Sequence, residues 1–131
     1  MNFKEIKKIL RKRTIGIAGA GGLGSNCAVA LARVGIGKLI IADFDKITSS
    51  NLNRQYYFQE QLGQKKVFAL QDTLYYINRM VKVEPHAIKL KSEDIVRIFC
   101  NCDVIIEAFD DALTKQMIIE TVADHMPDIP W

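Results

Sequence analysis

The residues whose types and spacing suit chemistry fall in three polar clusters, 19–25, 43–55 and 110–111, each placed just after an apolar run. The first is Gly19-Ala20-Gly21-Gly22-Leu23-Gly24, which fits the pattern G-x-G-x-x-G. Gly19 permits a tight turn, Gly21 or Gly22 lets a phosphate approach the backbone, and Gly24 lets the following helix pack close to the preceding strand. The start of that helix offers free N–H groups and a partial positive charge to phosphate oxygens. The chemistry implied is nucleotide binding, and the plainer alternative is a structural turn. Asp43 ends the next apolar run, 19 residues after Gly24, where an acid accepts hydrogen bonds from ribose hydroxyls. To this point NAD and ATP fit equally well.

The segment that follows separates them. It carries Asn51, Arg54 and Gln55, and then Gly63-Gln64-Lys65-Lys66. Arginine forks onto phosphate and lysine supplies a point charge, and both stabilise negative charge moving onto a leaving pyrophosphate. An NAD-dependent oxidoreductase has no evident use for such a loop. By residue type alone, Arg54 and Lys66 are equally well read as surface charges. Asp110 and Asp111 offer adjacent carboxylates, and Mg²⁺ takes one or two carboxylates together with phosphate oxygens. Asp111, just before a helix, suits an N-cap, which leaves Asp110 as the metal candidate.

These clusters need elements to hold them. Residues 14–19, 38–43 and 103–108 are short apolar runs that read as buried strands, and 81–90 alternates in part and reads as a fourth. Residues 22–35 form a helix closed by Gly35, and 63–80 carry Val67, Leu70, Leu74 and Ile77 at helical spacing. Glu93–Phe99 is a short helix with Ser92 as its cap, and Ala112–His125 is the last helix, stopped by Pro127 and Pro130. Residues 44–60 have no period and read as a long functional loop. Strands alternating with helices predict an α/β fold, a Rossmann-like, mostly parallel sheet with helices on both faces. Ligands bind outside the carboxyl ends of such strands, so the three clusters converge on one edge.

The chain has 131 residues, net charge +3 and 49% hydrophobic residues, the size and composition of one soluble domain. It has no apolar stretch long enough to span a membrane and no apolar core of a secretory signal near its start. Residues 1–13 carry six Lys/Arg and one Glu. They read as an amphipathic helix with Phe3, Ile6, Ile9 and Leu10 on a buried face, in preference to a basic stripe for nucleic acid or an acidic protein. Neither a nucleic-acid nor a membrane partner is expected. Three cysteines, Cys27, Cys100 and Cys102, give no paired spacing for disulfides or zinc and read as reduced cytoplasmic thiols. The end, Asp128-Ile129-Pro130-Trp131, reads as the entry to a fifth strand, so residues 1–131 are expected to be the N-terminal portion of a single ATP-binding domain.

Taken together, Gly-Ala-Gly-Gly-Leu-Gly-Ser, Asp-Phe-Asp, Ser-Asn-Leu-Asn-Arg-Gln and Gly-Gln-Lys-Lys-Val resemble the ThiF/MoeB adenylyltransferases, whose fold is shared by the ubiquitin-activating enzymes. The likeness runs from about Thr14 to Thr114, and the short ThiF-like layout is the most similar. The resemblance implies that the C-terminal glycine of a ubiquitin-like sulfur carrier is adenylated by ATP with Mg²⁺, in thiamine thiazole synthesis first, or in molybdopterin synthesis or tRNA modification. It implies that Gly19, Gly21, Gly22, Gly24, Asp43, Asn51, Arg54, Gln55 and Lys66 hold ATP, that Arg54, Lys66 and Asp110 are catalytic, and that Asp110 is the Mg²⁺-linked acid. It also implies a carrier protein of the ThiS type as partner, and a homodimer. The family's paired Cys-x-x-Cys motifs, its downstream sulfur-transfer cysteine and the arginine donated by a dimer partner have no match in this sequence. A non-catalytic nucleotide-binding module is the remaining alternative.

Overall fold

The computed structural model describes residues 1–131. Four strands, β1 (Thr14–Ala18), β2 (Lys38–Ala42), β3 (Lys82–His86) and β4 (Val104–Glu107), form one sheet in the order β3-β2-β1-β4. All three pairings are parallel. Five helices accompany them: α1 (Phe3–Arg11), α2 (Gly22–Val34), α3 (Lys66–Ile77), α4 (Ser92–Phe99) and α5 (Ala112–His125). Alternate residues of β1, β2 and β4 feed two cores, as the period of two requires, while β3 at the edge adds only Val83 to one of them. Ile17, Leu39 and Ile41 pack under α2 and α3 with Ala28, Val29, Leu70 and Leu74. Ala18, Ile40 and Ala42 pack under α4 and α5 with Ile95, Phe99, Ile118 and Val122. Burial on both faces is why the strands read as continuous apolar runs. Gly16 in the middle of β1 makes room for the Phe99 ring, whose Cδ1 lies 2.5 Å from where a Cβ would stand.

The order places β2 on one side of β1 and β4 on the other. The chain therefore reverses its direction of winding at β1, and a crevice opens beyond the carboxyl ends of β1 and β4. The loops after these two strands are those that carry the glycine motif and Asp110.

Most expected elements form, with edges shifted by a few residues. The third strand stops at His86 instead of reaching Leu90, and α3 begins at Lys66 instead of 63. Gly35, with φ 90°, closes α2 in the left-handed conformation that glycine adopts without a Cβ penalty. Asp111 caps α5 by accepting the Thr114 N–H at 2.8 Å. Ser92 is not the cap of α4: it is the first helical residue, Lys91 precedes it, and the Asp94 carboxylate takes the Lys91 N–H at 3.0 Å. The loop over 44–60 contains two 3-10 turns, Ser49–Asn51 and Gln59–Gln61, and is anchored by buried Ile47 and Tyr57.

The largest departure is α1. None of its residues is buried, and Phe3 (76% exposed), Ile6 (41%) and Ile9 (40%) face outward. Only Leu10 packs in part against the core. The helix precedes β1 at the amino end of the sheet, where no other element lies along it. It is held instead by local terms: Glu5 N–H donates to Asn2 Oδ1 at 2.9 Å, Asn2 N–H donates to Glu5 Oε2 at 3.2 Å, and Lys8 and Arg11 sit in its last turn. No helix in the structure is long and apolar enough to cross a membrane.

Candidate active site

The glycine loop begins at Gly19, which has φ 109° and donates its N–H to Ala42 O at 2.9 Å. A Cβ at Gly19 would stand 2.9 Å from the Ala108 backbone, and one at Gly24 would strike the Gly19 carbonyl. The first and last glycines of the motif therefore serve the close passage of β1, β4 and α2, as the pattern predicts. Beside Gly21 and Gly22 a Cβ would meet nothing nearer than 3.7 Å, so the middle of the loop is open. Gly21 caps α2 with no side-chain hydrogen bond, which leaves the first N–H groups of the helix facing outward.

Asp43 is 3% exposed, and each of its carboxylate oxygens accepts one hydrogen bond. Its Oδ2 accepts the Ala20 N–H at 2.7 Å and its Oδ1 accepts the Asp45 N–H at 2.9 Å. A carboxylate has about four lone-pair sites, so it still has capacity to accept from a ribose. Asp43 lines a cleft of ≈ 380 Å³ beyond β1 and β4, together with Gly21, Asp45, Lys89, Phe109 and Asp110. Tyr57 closes the loop from behind: its hydroxyl donates to Ala20 O at 2.6 Å, and burial together with the nearby Asp43 charge pushes its pKa up.

A second recess of ≈ 490 Å³ adjoins the cleft, with Phe44 and Asp45 common to both. Thr48, Asn51 and Lys66 line it. Asn51 is buried, and its Oδ1 accepts the Thr48 N–H at 2.9 Å. Lys66 is 5% exposed, an unusual burial for a lysine. Its Nζ lies 3.8 Å from Asp45 Oδ2, and its N–H donates to Asp45 O at 2.9 Å. A long pairing to a half-exposed carboxylate leaves ammonium donors free for an anion in the recess.

Arg54 and Gln55 take different places. The Arg54 guanidinium is on the surface, where Nη1 donates to Ser50 O at 3.0 Å, and lines neither the cleft nor the recess. Only its backbone approaches the glycine loop, with its carbonyl 3.8 Å from the Cβ position of Gly22. Gln55 is buried against Gly21, and its Oε1 is the one buried side-chain polar atom without a hydrogen-bond partner. An unpaired buried polar atom costs about 1–3 kcal/mol, and like Arg54 this residue lines neither the cleft nor the recess. It can turn to present either its oxygen or its nitrogen.

Asp110 stands exposed at the rim of the cleft, while Asp111 is spent on its cap. No group of three or more His, Cys, Asp or Glu side chains is placed to hold a metal by itself. Asp110 with Asp45 across the same cleft suits a cation that draws its other ligands from phosphates and water. Two contributors were not visible in the sequence. Lys89 lines the cleft with its Nζ 5.9 Å from the Phe44 ring centre. Glu107 accepts the Phe109 N–H at 2.7 Å and pairs with Lys115 at 2.8 Å, fixing the turn that carries Asp110. A lysine three residues past a strand and an acid at a strand's last position carry no spacing signal of their own.

Known proteins are similar to this chain in sequence and in fold. Ubiquitin-like modifier-activating enzyme 5 of Caenorhabditis elegans is 41% identical over 92 residues, covering 70% of this chain and 22% of that protein. Adenylyltransferase and sulfurtransferase MOCS3 of Anopheles gambiae is 34% identical over 110 residues, covering 83% of this chain and 25% of that protein. Among solved structures, the E. coli tRNA N6-threonylcarbamoyladenosine dehydratase in complex with ATP superimposes with a TM-score of 0.90 at 25% identity, covering 97% of this chain and 52% of the other. PaaA superimposes with a TM-score of 0.79 at 30% identity, covering 90% and 36%. The chain thus spans about a quarter of these curated relatives and about half of the dehydratase. A family model described as the ThiF family matches residues 2–129, nearly the whole of this sequence, and the chain belongs to that family.

Proposed function

We propose that residues 1–131 form the ATP-binding portion of an adenylyltransferase that activates the C-terminal glycine of a ubiquitin-like protein. The observation that carries this reading is the recess holding Asn51 and buried Lys66 directly beside the glycine-loop cleft. A dinucleotide fold needs only the cleft. A phosphate-cleaving one needs a cation where the leaving group departs.

In this reading the adenosine of ATP lies in the cleft with its ribose on Asp43, and its phosphates pass over Gly21 and Gly22. The carrier's terminal carboxylate attacks the α-phosphate, the bond to the β-phosphate breaks, and pyrophosphate leaves as the acyl-adenylate forms. Lys66 offsets the charge gathering on pyrophosphate, Asn51 donates from the recess wall, and Gln55 holds the loop side of the phosphates. Arg54 joins them by leaving Ser50. Asp110, with Asp45, would hold Mg²⁺, which supplies positive charge beside the phosphates. The name of ubiquitin-like modifier-activating enzyme 5 supports a ubiquitin-like partner, that of the adenylyltransferase and sulfurtransferase supports adenylyl transfer, and the dehydratase solved with ATP supports the nucleotide. A sulfur carrier of the ThiS type in thiamine synthesis is the first choice. Carriers for molybdopterin synthesis, and a tRNA-modifying role like that of the dehydratase, are the alternatives. The three free thiols suit a cytoplasmic enzyme, and a homodimer fits the family.

Carrier-dependent exchange of labelled pyrophosphate into ATP tests the proposal. Exchange that requires both a ubiquitin-like carrier and Lys66 is expected. Binding of NAD in preference to ATP, or no exchange with any such carrier, overturns it.

A further inference from the structure

Residues 54–57 are stitched to the glycine loop and the start of α2 at three points. Tyr57 Oη donates to Ala20 O at 2.6 Å, Tyr56 N–H donates to Ser25 Oγ at 3.0 Å, and Asn26 Nδ2 donates to both Gly22 O at 2.7 Å and Arg54 O at 3.2 Å. Ala20 is wholly buried, so its carbonyl and N–H both need partners inside the protein. Tyr57 takes the first and Asp43 takes the second at 2.7 Å. A residue whose two polar groups are pinned from opposite sides cannot turn. The backbone that follows at Gly21, which lines the cleft and caps α2 without a side-chain hydrogen bond, is therefore held in place. Between the stitches lies Gln55, with its Nε2 3.7 Å from the Cβ position of Gly21 and its Oε1 buried without a partner.

We propose that Tyr57, assisted by Asn26, is a positioning residue for the phosphates: it fixes the glycine-loop amides and locks Arg54 and Gln55 to them as one body. This rests on the nucleotide reading above. A phenylalanine at 57 would fill the same buried space in the core, so what the hydroxyl adds is the bond to Ala20. The consequence is specific to ligand chemistry. Losing the bond frees the phosphate-facing amides while leaving the walls of the adenosine cleft in place.

The test measures affinity for ATP and for adenosine by displacement of a fluorescent adenine nucleotide, in the unaltered chain and in Tyr57→Phe, Asn26→Ala and, as a distant control, Tyr76→Phe, whose residue is 85% exposed. Tyr57→Phe is expected to weaken ATP about fivefold, the effect of one ordinary hydrogen bond, and to leave adenosine within about twofold. Asn26→Ala shows the same split, and Tyr76→Phe shows none. Equal losses for both ligands mean a merely structural tyrosine and overturn the proposal, as does unchanged ATP affinity in both variants. If Tyr57→Phe fails to fold, Asn26→Ala, altered at an exposed side chain, decides alone. An unaltered chain that takes up no ATP overturns the nucleotide reading itself, a result distinct from ATP binding without the split.

Discussion

Lys66→Met separates a catalytic lysine from a structural one. Lys66 is 5% exposed and its Nζ is 3.8 Å from Asp45 Oδ2, but the Asp45 side chain is 51% exposed. Removing the ammonium leaves a carboxylate that water already solvates, and methionine fills the stem's apolar path. Losing the pair's weak attraction and relieving a desolvated charge oppose one another, so stability should move by no more than about 1 kcal/mol. The reaction should respond very differently. A unit positive charge ~4 Å from phosphate oxygens, at an effective dielectric near 20, is worth about 4 kcal/mol. At 1.36 kcal/mol per decade this corresponds to about a thousandfold in kcat/KM. The assay is carrier-dependent pyrophosphate exchange, paired with a urea melt whose midpoint should shift by less than about 1 M. Exchange reduced by less than tenfold in a folded Lys66→Met protein refutes the reasoning. So does a loss of activity matched by a collapse of the urea midpoint.

Further outcomes follow from the same geometry. Gly24→Ala drives a methyl into the Gly19 carbonyl, and because backbone cannot step aside as a side chain can, it should cost about 3 kcal/mol or more in urea unfolding and weaken ATP binding with it. Asp43→Ala leaves the Ala20 and Asp45 N–H groups without their acceptor. About 2–3 kcal/mol of stability should go with it, and an unchanged melt would contradict the assigned bonds. The Glu84 carboxyl is held below its ordinary range first by the hydrogen bond from His86 and further by Lys38, against burial, which raises it. A lowered carboxylate contributes stability above its unfolded pKa that is lost as pH falls through its folded one. Glu84→Gln should therefore flatten the fall in melting temperature on the acid side of about pH 5, and an unaltered acid limb would show that the pair contributes nothing. Burial pushes the Cys102 thiol up to about 12, while Cys100 is exposed. Alkylation at pH 8 followed by peptide mapping should mark Cys100 first and Cys102 only after denaturant.

The line between what the sequence determined and what the tertiary structure decided follows the range of the forces involved. Period, glycine placement and capping act over a few residues. The strands, the helix ended by Gly35, the Asp111 cap and the glycine turn were therefore legible from residues 14–19, 22–35 and 110–114 alone. The assignment of Asp43 to the glycine-loop edge was legible for the same reason, since it needs only that strands end on one side of a parallel sheet. The neighbours of β1 depend on how four strands settle across the whole chain, and the crevice beside β4 became visible only with the order β3-β2-β1-β4. The same long range decided which polar side chains meet. Lys66 is buried beside Asp45, while the Arg54 guanidinium, eight residues after Lys46 in the same polar segment, is held outside on Ser50. Tyr57 reads in the sequence as one more aromatic residue, yet it reaches Ala20, 37 positions away. The amphipathic period of α1 predicted a buried face for Phe3, Ile6 and Ile9. Period reports which residues share a face, but only the arrangement of the other elements decides what lies against it, and at the amino end of this sheet only Leu10 meets the core.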